Sequence, residues 1–275
     1  MRNVDQQTVE GFGQEWERFD QRDVDDSELA RVFDSYFRLF PWAELPRGAI
    51  GFDLGCGSGR WARFVAPRVA TLHCVDPSIQ ALAVAKRNLA SQPNCVFHVA
   101  SVDELPFADD SMDFGYTLGV LHHVPDTAAG IRACARKLKT NAPFLIYLYY
   151  RFDDRPAWFR ALWRASDGVR RVVSRLPHRA RHLVTDMVAA TVYFPLARTA
   201  RALERRGRDV DVFPLSTYRN ASFYTMRTDA LDRLGTQLEQ RFTRDEMRAL
   251  LLSNGFCNVQ FAEQPPYWCA VARKG

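Results

Sequence analysis

Nowhere does this 275-residue chain hold the eighteen or so consecutive apolar residues that a membrane-crossing helix needs. Its opening stretch, MRNVDQQTVE, also lacks the apolar segment of a secretion signal, so the expectation is a cytoplasmic protein. Cysteine is sparse and scattered, at 56, 74, 95, 134, 257 and 269, with no pair spaced as in a zinc knuckle or a redox motif. Free buried thiols are therefore expected, rather than a disulfide framework. His122 and His123 are adjacent, which is the wrong geometry for two ligands on one helical face, and no metal site is expected. Lysine is absent from residues 151–208, where fourteen arginines meet five acids, a local excess of +9 within a chain of net charge +5. The remainder is thus about −4, and the basic character belongs to one segment. Internal repeats and low-complexity tracts are also lacking.

What is present is an alternation. AIGFDL (49–54), TLHCVD (71–76), CVFHVA (95–100), MDFGYTLG (112–119) and APFLIYLYY (142–150) read as buried strands separated by helical or loop segments. Continuous apolar strands in this rhythm predict an α/β fold with a mostly parallel sheet covered on both faces. After Tyr150 the apolar residues recur at helical spacing, and Pro156, Pro177 and Pro195 divide the stretch into helices. Residues 207–240 read as irregular. Thr243, with Glu246 three residues later, then opens a capped helix, followed by two strands, NVQFAE and YWCAVARK. The expected organisation is an N-terminal helical segment (1–48), a core of 49–150 and 241–275, and a helical cap inserted at 151–240. That cap is expected over the carboxyl ends of the strands, where open α/β sheets take their ligands.

The segment GFDLGCGSGR (51–60) places Gly55, Gly57 and Gly59 directly behind a strand. That arrangement sets bare backbone N–H groups and a helix N-terminus against a ligand. A dinucleotide fingerprint would place its third glycine where Arg60 stands, which weakens the pyrophosphate reading. DLGCGSG instead resembles the first motif of the class I S-adenosylmethionine-dependent methyltransferases, in the group that includes the ubiquinone and menaquinone biosynthesis enzymes. The resemblance spans about 49–150 and, more weakly, 243–274. It implies a Rossmann-like seven-stranded sheet with the last strand antiparallel, S-adenosyl-L-methionine as cofactor and S-adenosyl-L-homocysteine as product.

Residue by residue, the resemblance puts Asp53, Gly55, Cys56 and Gly57 in the cofactor loop and Asp76, with Pro77 after it, at the ribose hydroxyls. Val102 and Asp103 in SVDELPF fall at the adenine, and Leu118, Gly119 and His122 in YTLGVLHHVPD along the methionine part. VEGFGQEWERFD (9–20) is similar to an N-terminal segment of some bacterial members. Trp16 and Phe19 there either close over the cofactor or pin a helix to the core.

The sulfonium supplies an electrophilic methyl group, so the protein must chiefly align an acceptor and exclude water. A base is needed only where the acceptor loses a proton. His122, His123, Tyr150 and Asp229 are the catalytic candidates, with Tyr149 and Arg151 beside them, and Tyr224, Arg227, Asp232 and Arg233 as further acceptor contacts in SFYTMRTDALDRLGT. Structural hydrogen bonds and salt bridges are the competing reading for each. The acceptor is expected to be a small molecule: a specialised metabolite, saccharide or lipid precursor. The arginine-rich cap reads as a solvated face, as a site for an anionic acceptor, or as a peripheral contact with an anionic membrane through RPAWFRALWR. A nucleic-acid methyltransferase is the first rival, but Thr-Leu-Gly-Val stands where an Asn/Asp-Pro-Pro-Tyr turn is required, and no nucleic-acid partner is expected. A non-catalytic cofactor-binding protein is the second.

Overall fold

The computed structural model describes residues 3–275, which divide into two compact units. The first comprises residues up to 22, 29–151 and 238–275; the second comprises 23–28 and 152–237. In chain order the elements of the first part are α1 (Gln6–Arg18), α2 (Asp26–Phe37), β1 (Ile50–Leu54), α3 (Ala62–Val65), β2 (Thr71–Asp76), α4 (Ile79–Asn88), β3 (Cys95–Val99), β4 (Phe114–Leu118), α5 (Thr127–Lys137) and β5 (Pro143–Tyr147). Then come α6 (Ala157–Val173), α7 (His178–Val188), α8 (Phe194–Arg205), α9 (Phe223–Gly235), α10 (Arg244–Ser253), β6 (Phe256–Phe261) and β7 (Cys269–Lys274).

The strands form one seven-stranded sheet in the order β3-β2-β1-β4-β5-β7-β6. β1 to β5 are parallel, and β7 runs antiparallel between β5 and β6. Strand alternation divides the core between the two faces. Phe52, Leu54, Phe144 and Ile146 pack with Ile131, Leu138, Met247 and Leu251, while Phe114, Tyr116, Leu118 and Leu145 pack with Phe33, Phe37, Leu82 and Ala85. Two glycines make room for aromatic rings on the neighbouring strand. Gly51 lies opposite Phe114 and Gly115 opposite Phe52, and a Cβ at either glycine would fall inside the facing ring. The Thr243–Glu246 capping box is formed in both directions, at 3.2 Å and 2.8 Å.

In the second unit α6 starts after Pro156 and α7 after Pro177. Pro195, in contrast, ends nothing: the chain stays helical from His178 to Arg205, with a π-helical turn at Ala189–Tyr193 just before the proline. A proline lacks the N–H that would bond four residues back, and its ring crowds that carbonyl; a widened turn relieves both. The irregular reading of 207–240 also needs correction. Residues 223–235 are helical, capped by the Ser222 hydroxyl on Thr225 N–H at 3.2 Å, with Met226, Ala230, Leu231 and Leu234 buried along one face. Arg170 is buried in this unit, bonded to Asp167 at 2.8 Å and to the carbonyls of Thr236 and Gln237 at 2.9 and 3.0 Å beyond the end of α9. A cation is favoured there by the carbonyl end of the helix dipole.

Candidate functional site

The glycine loop is held by its own backbone. Gly55 and Cys56 both donate to the carbonyl of Val75, at 2.7 and 3.1 Å, so the turn after β1 is tied to the end of β2. Gly55, Gly57 and Gly59 all take positive φ, +72°, +54° and +78°, a region that side chains rarely enter. At Gly57 space is as restrictive as torsion, because a Cβ there would lie 2.8 Å from the Trp16 indole. Trp16, on α1, therefore covers the loop, and the Arg60 guanidinium stacks over Trp16 and Trp61 at 5.3 and 4.5 Å. Phe19 is buried in the core. The helix after the loop, α3, has only four residues.

Asp76 closes this turn. One carboxylate oxygen accepts from Gly57 N–H at 3.0 Å and the other from Ser78 N–H, just beyond Pro77, at 2.8 Å. Each oxygen keeps a lone pair that a ligand hydroxyl can use. Burial pushes its pKa up to about 6, against the two N–H donors. Asp53, almost fully buried, accepts from the Tyr116 hydroxyl at 2.9 Å, and burial carries its pKa to about 8. The Cys56 thiol contacts Cys74, which lowers its pKa, but burial and the nearby carboxylates hold it at about 11, so it is not a ready nucleophile.

At the end of β3 a short 3₁₀ turn, Val102–Glu104, buries Val102 and exposes Asp103. The Asp103 carboxylate accepts from the Ser101 hydroxyl at 2.7 Å and from Asn3 N–H at 3.1 Å. Past β4, Leu118 is buried and Gly119 has φ +79°, with open space where its Cβ would stand. These features fit an adenosyl ligand: a double-donor-anchored acid for a diol, a bare loop roofed by an indole, and an open glycine beyond.

Next to Gly119 lies a group of rings. His122 is fully buried, 3.9 Å from His123 and stacked 3.9 Å from Tyr149, and neither of its ring nitrogens has a hydrogen-bond partner. Burial first, then its neighbours His123 and Arg241, holds it well below the usual imidazole range, so it is neutral. His123 is anchored: its Nδ1 meets the Leu238 carbonyl at 2.7 Å, which fixes the Nδ1–H tautomer and leaves Nε2 buried without a partner. Phe12 of α1 packs on it at 5.1 Å.

Sequence reasoning did not find the strand-like segment that completes this cluster. Tyr150 pairs with Phe242 in a parallel bridge, Gln240 N–H donates to the His122 carbonyl at 3.0 Å, and Arg241 lies 5.2 Å from the Tyr149 ring. Arg241 pairs with Glu239 at 2.6 Å, and the second carboxylate oxygen of Glu239 is buried with no partner. Only the tertiary bridge identifies these residues, which are ninety positions from β5. Tyr150 itself packs near Tyr267 and Trp268 of the QPPYW segment, at 5.6 and 6.2 Å, while Arg151 bonds Glu246 at 2.7 Å.

In the second unit Arg227 forms a two-pronged pair with Asp186 at 3.0 and 3.1 Å. Asp229 bonds the buried Tyr218, and Arg233 lies 5.8 Å over the same ring. Tyr224 and Asp232 share α9 with them. Among the described residues no group of three or more His, Cys, Asp or Glu could hold a metal ion, and no helix is long and apolar enough to cross a membrane.

Residues 52–146 match the family described as "Methyltransferase domain". The ubiquinone biosynthesis O-methyltransferase of Xanthomonas oryzae pv. oryzae is 28% identical over 184 residues, 66% of this chain and 73% of that one. A protein of the same description from Alkalilimnicola ehrlichii is 37% identical over 89 residues, 32% of this chain and 36% of that one. Among solved structures, an S-adenosylmethionine-dependent methyltransferase from Mesorhizobium loti superposes with a TM-score of 0.54 at 19% identity, covering 90% of this chain and all (100%) of that one, which is a likeness of fold.

Proposed function

We propose that this chain, an S-adenosylmethionine-dependent methyltransferase, transfers the methyl group to a hydroxyl oxygen of a small-molecule acceptor. The observation that carries this reading is His123, whose Nδ1–H is fixed on the Leu238 carbonyl and whose Nε2 lone pair is buried and bare. An imidazole oriented by a third group and free at the other nitrogen is arranged to take a proton, which a hydroxyl acceptor must lose and a neutral amine need not lose before attack. The O-methyltransferase names of the sequence relatives support the same acceptor atom.

The bound cofactor supplies the electrophilic methyl group. Asp76 would hold its ribose, the Val102–Asp103 turn its adenine, and Gly55, Gly57, Leu118 and Gly119 the backbone path between, under Trp16. Asp53, held by the Tyr116 hydroxyl at the end of β1, would act through the backbone that leads into the loop. On the acceptor side His123 removes the proton, while Tyr149, backed by the fully buried neutral His122, orients the hydroxyl and keeps water out. Tyr150 is a further acceptor contact in this reading, whereas Asp229 is bonded to Tyr218 within the second unit. Six free cysteines argue for a reducing compartment such as the cytoplasm.

The test is release of S-adenosylhomocysteine with panels of phenols, catechols, sugars and amines. Turnover confined to hydroxylated acceptors, with His123→Gln lowering kcat by about 10²–10⁴ while the cofactor KM stays within about threefold, is the expected result. Turnover on amines alone, or a His123→Gln enzyme as fast as the parent, would overturn it.

A further inference from the structure

The second unit carries an apolar stripe that stays exposed among the described residues. On α6, Trp158, Leu162, Val169 and Val172 are 52%, 52%, 50% and 65% exposed. At 100° per residue these positions fall within about 80° of one another. The inner face is a different one. Phe159 and Trp163 pack on Phe152 at 5.4 and 5.7 Å, and Arg170 and Val173 are buried. The remaining third of the helix carries Arg160, Arg164 and Arg171. α7 and α8 expose Leu183, Met187 and Phe194 in the same way, at 63%, 57% and 41%.

Charge says what covers the stripe. Residues 156–203 hold nine arginines, no lysine and two carboxylates. Both carboxylates are already engaged, Asp167 with Arg170 and Arg171 and Asp186 with Arg227. A second copy of this chain would set two strongly cationic faces against each other. A nucleic acid would meet the arginines but gain little from exposed Trp158, Leu162 and Val172. A surface that offers anionic headgroups above hydrocarbon satisfies both, with the apolar side chains sinking to the acyl boundary and the guanidinium groups resting among the headgroups. We propose that α6, with the exposed face of α7–α8, docks this protein onto an anionic lipid bilayer as a peripheral contact. The inference concerns the second unit alone and does not depend on which acceptor is methylated.

The experiment is flotation of the full-length protein with extruded vesicles of phosphatidylcholine, or of phosphatidylcholine and phosphatidylglycerol at about 7:3, in low and high salt. The protein should float with the anionic vesicles at low salt, lose most of that binding in high salt, and leave the neutral ones. Leu162→Gln/Val169→Gln and Arg164→Gln/Arg171→Gln should each weaken vesicle binding by about tenfold or more, with thermal unfolding and S-adenosylhomocysteine affinity unchanged. Absence of flotation, or equal flotation with neutral vesicles, overturns the proposal. So does a dimer, detected by light scattering, that Leu162→Gln dissociates while vesicles go unbound; so does an RNA complex that needs Arg164 but not Leu162.

Discussion

Asp76 is the residue on which cofactor binding should turn most sharply. Its two oxygens are pre-oriented by Gly57 and Ser78 N–H groups, so a ligand diol meets a carboxylate that is already in place. Asp76→Ala should weaken S-adenosylmethionine and S-adenosylhomocysteine binding by roughly 1.5–3 kcal/mol, about ten- to a hundredfold, measured by calorimetry. Binding should also be coupled to protons. Burial raises Asp76 to about 6 and Asp53 to about 8, both above the unfolded value of 3.8. For a group whose folded pKa is raised, the stabilisation is present below the unfolded pKa and is lost as pH rises through the folded one. The ligand-free protein should therefore lose stability between about pH 4 and pH 8 on account of these two groups. Hydroxyl donors on Asp76 favour its ionised form, so ligand binding near pH 6 should release a proton. Heats of binding compared in buffers of different ionisation enthalpy will detect it; equal apparent heats in all buffers would contradict it.

Elements differ in how openly the sequence declared them. The five parallel strands were legible because each is a continuous apolar run closed by turn residues, and α10 because its capping box is written in four letters. The strand β5 ends at Tyr147, short of the apolar run, since Tyr149 and Tyr150 turn away to meet residues 240–242. α9 was hidden by its polar surface, although Ser222 and the spacing of Met226, Ala230 and Leu234 carried the signal. Pro195 misled for a physical reason: a proline forbids an α-turn at its own position but not a π-turn before it. Two expectations follow at this scale. Gly115→Ala should cost about 1–3 kcal/mol by overpacking against Phe52, and Thr243→Ala about 1 kcal/mol by removing the cap, both read by urea unfolding.

At the scale of the molecule, the second unit leaves and rejoins the first at neighbouring points. Tyr150 and Phe242 form a bridge, and Arg151 N–H donates to the Phe242 carbonyl at 2.9 Å. Replacing residues 152–237 by a short Gly/Ser linker should therefore leave the sheet and its cofactor loop intact, with S-adenosylhomocysteine affinity within about threefold of the parent. A shortened protein that fails to bind the cofactor would show that the first unit is not self-sufficient.

The sequence by itself determined the parallel-strand rhythm, the glycine loop with its acids at 53 and 76, the return to a two-strand ending, and the segregation of positive charge. Those features are local or periodic, so a linear text can carry them. Tertiary structure alone decided that Trp16 roofs Gly57, that His123 is oriented by the Leu238 carbonyl, and that Glu239 and Arg241 stand beside the rings at the end of β5. These are contacts between positions tens to more than a hundred residues apart, formed only when the sheet fixes which loops meet, and no spacing along the chain encodes them.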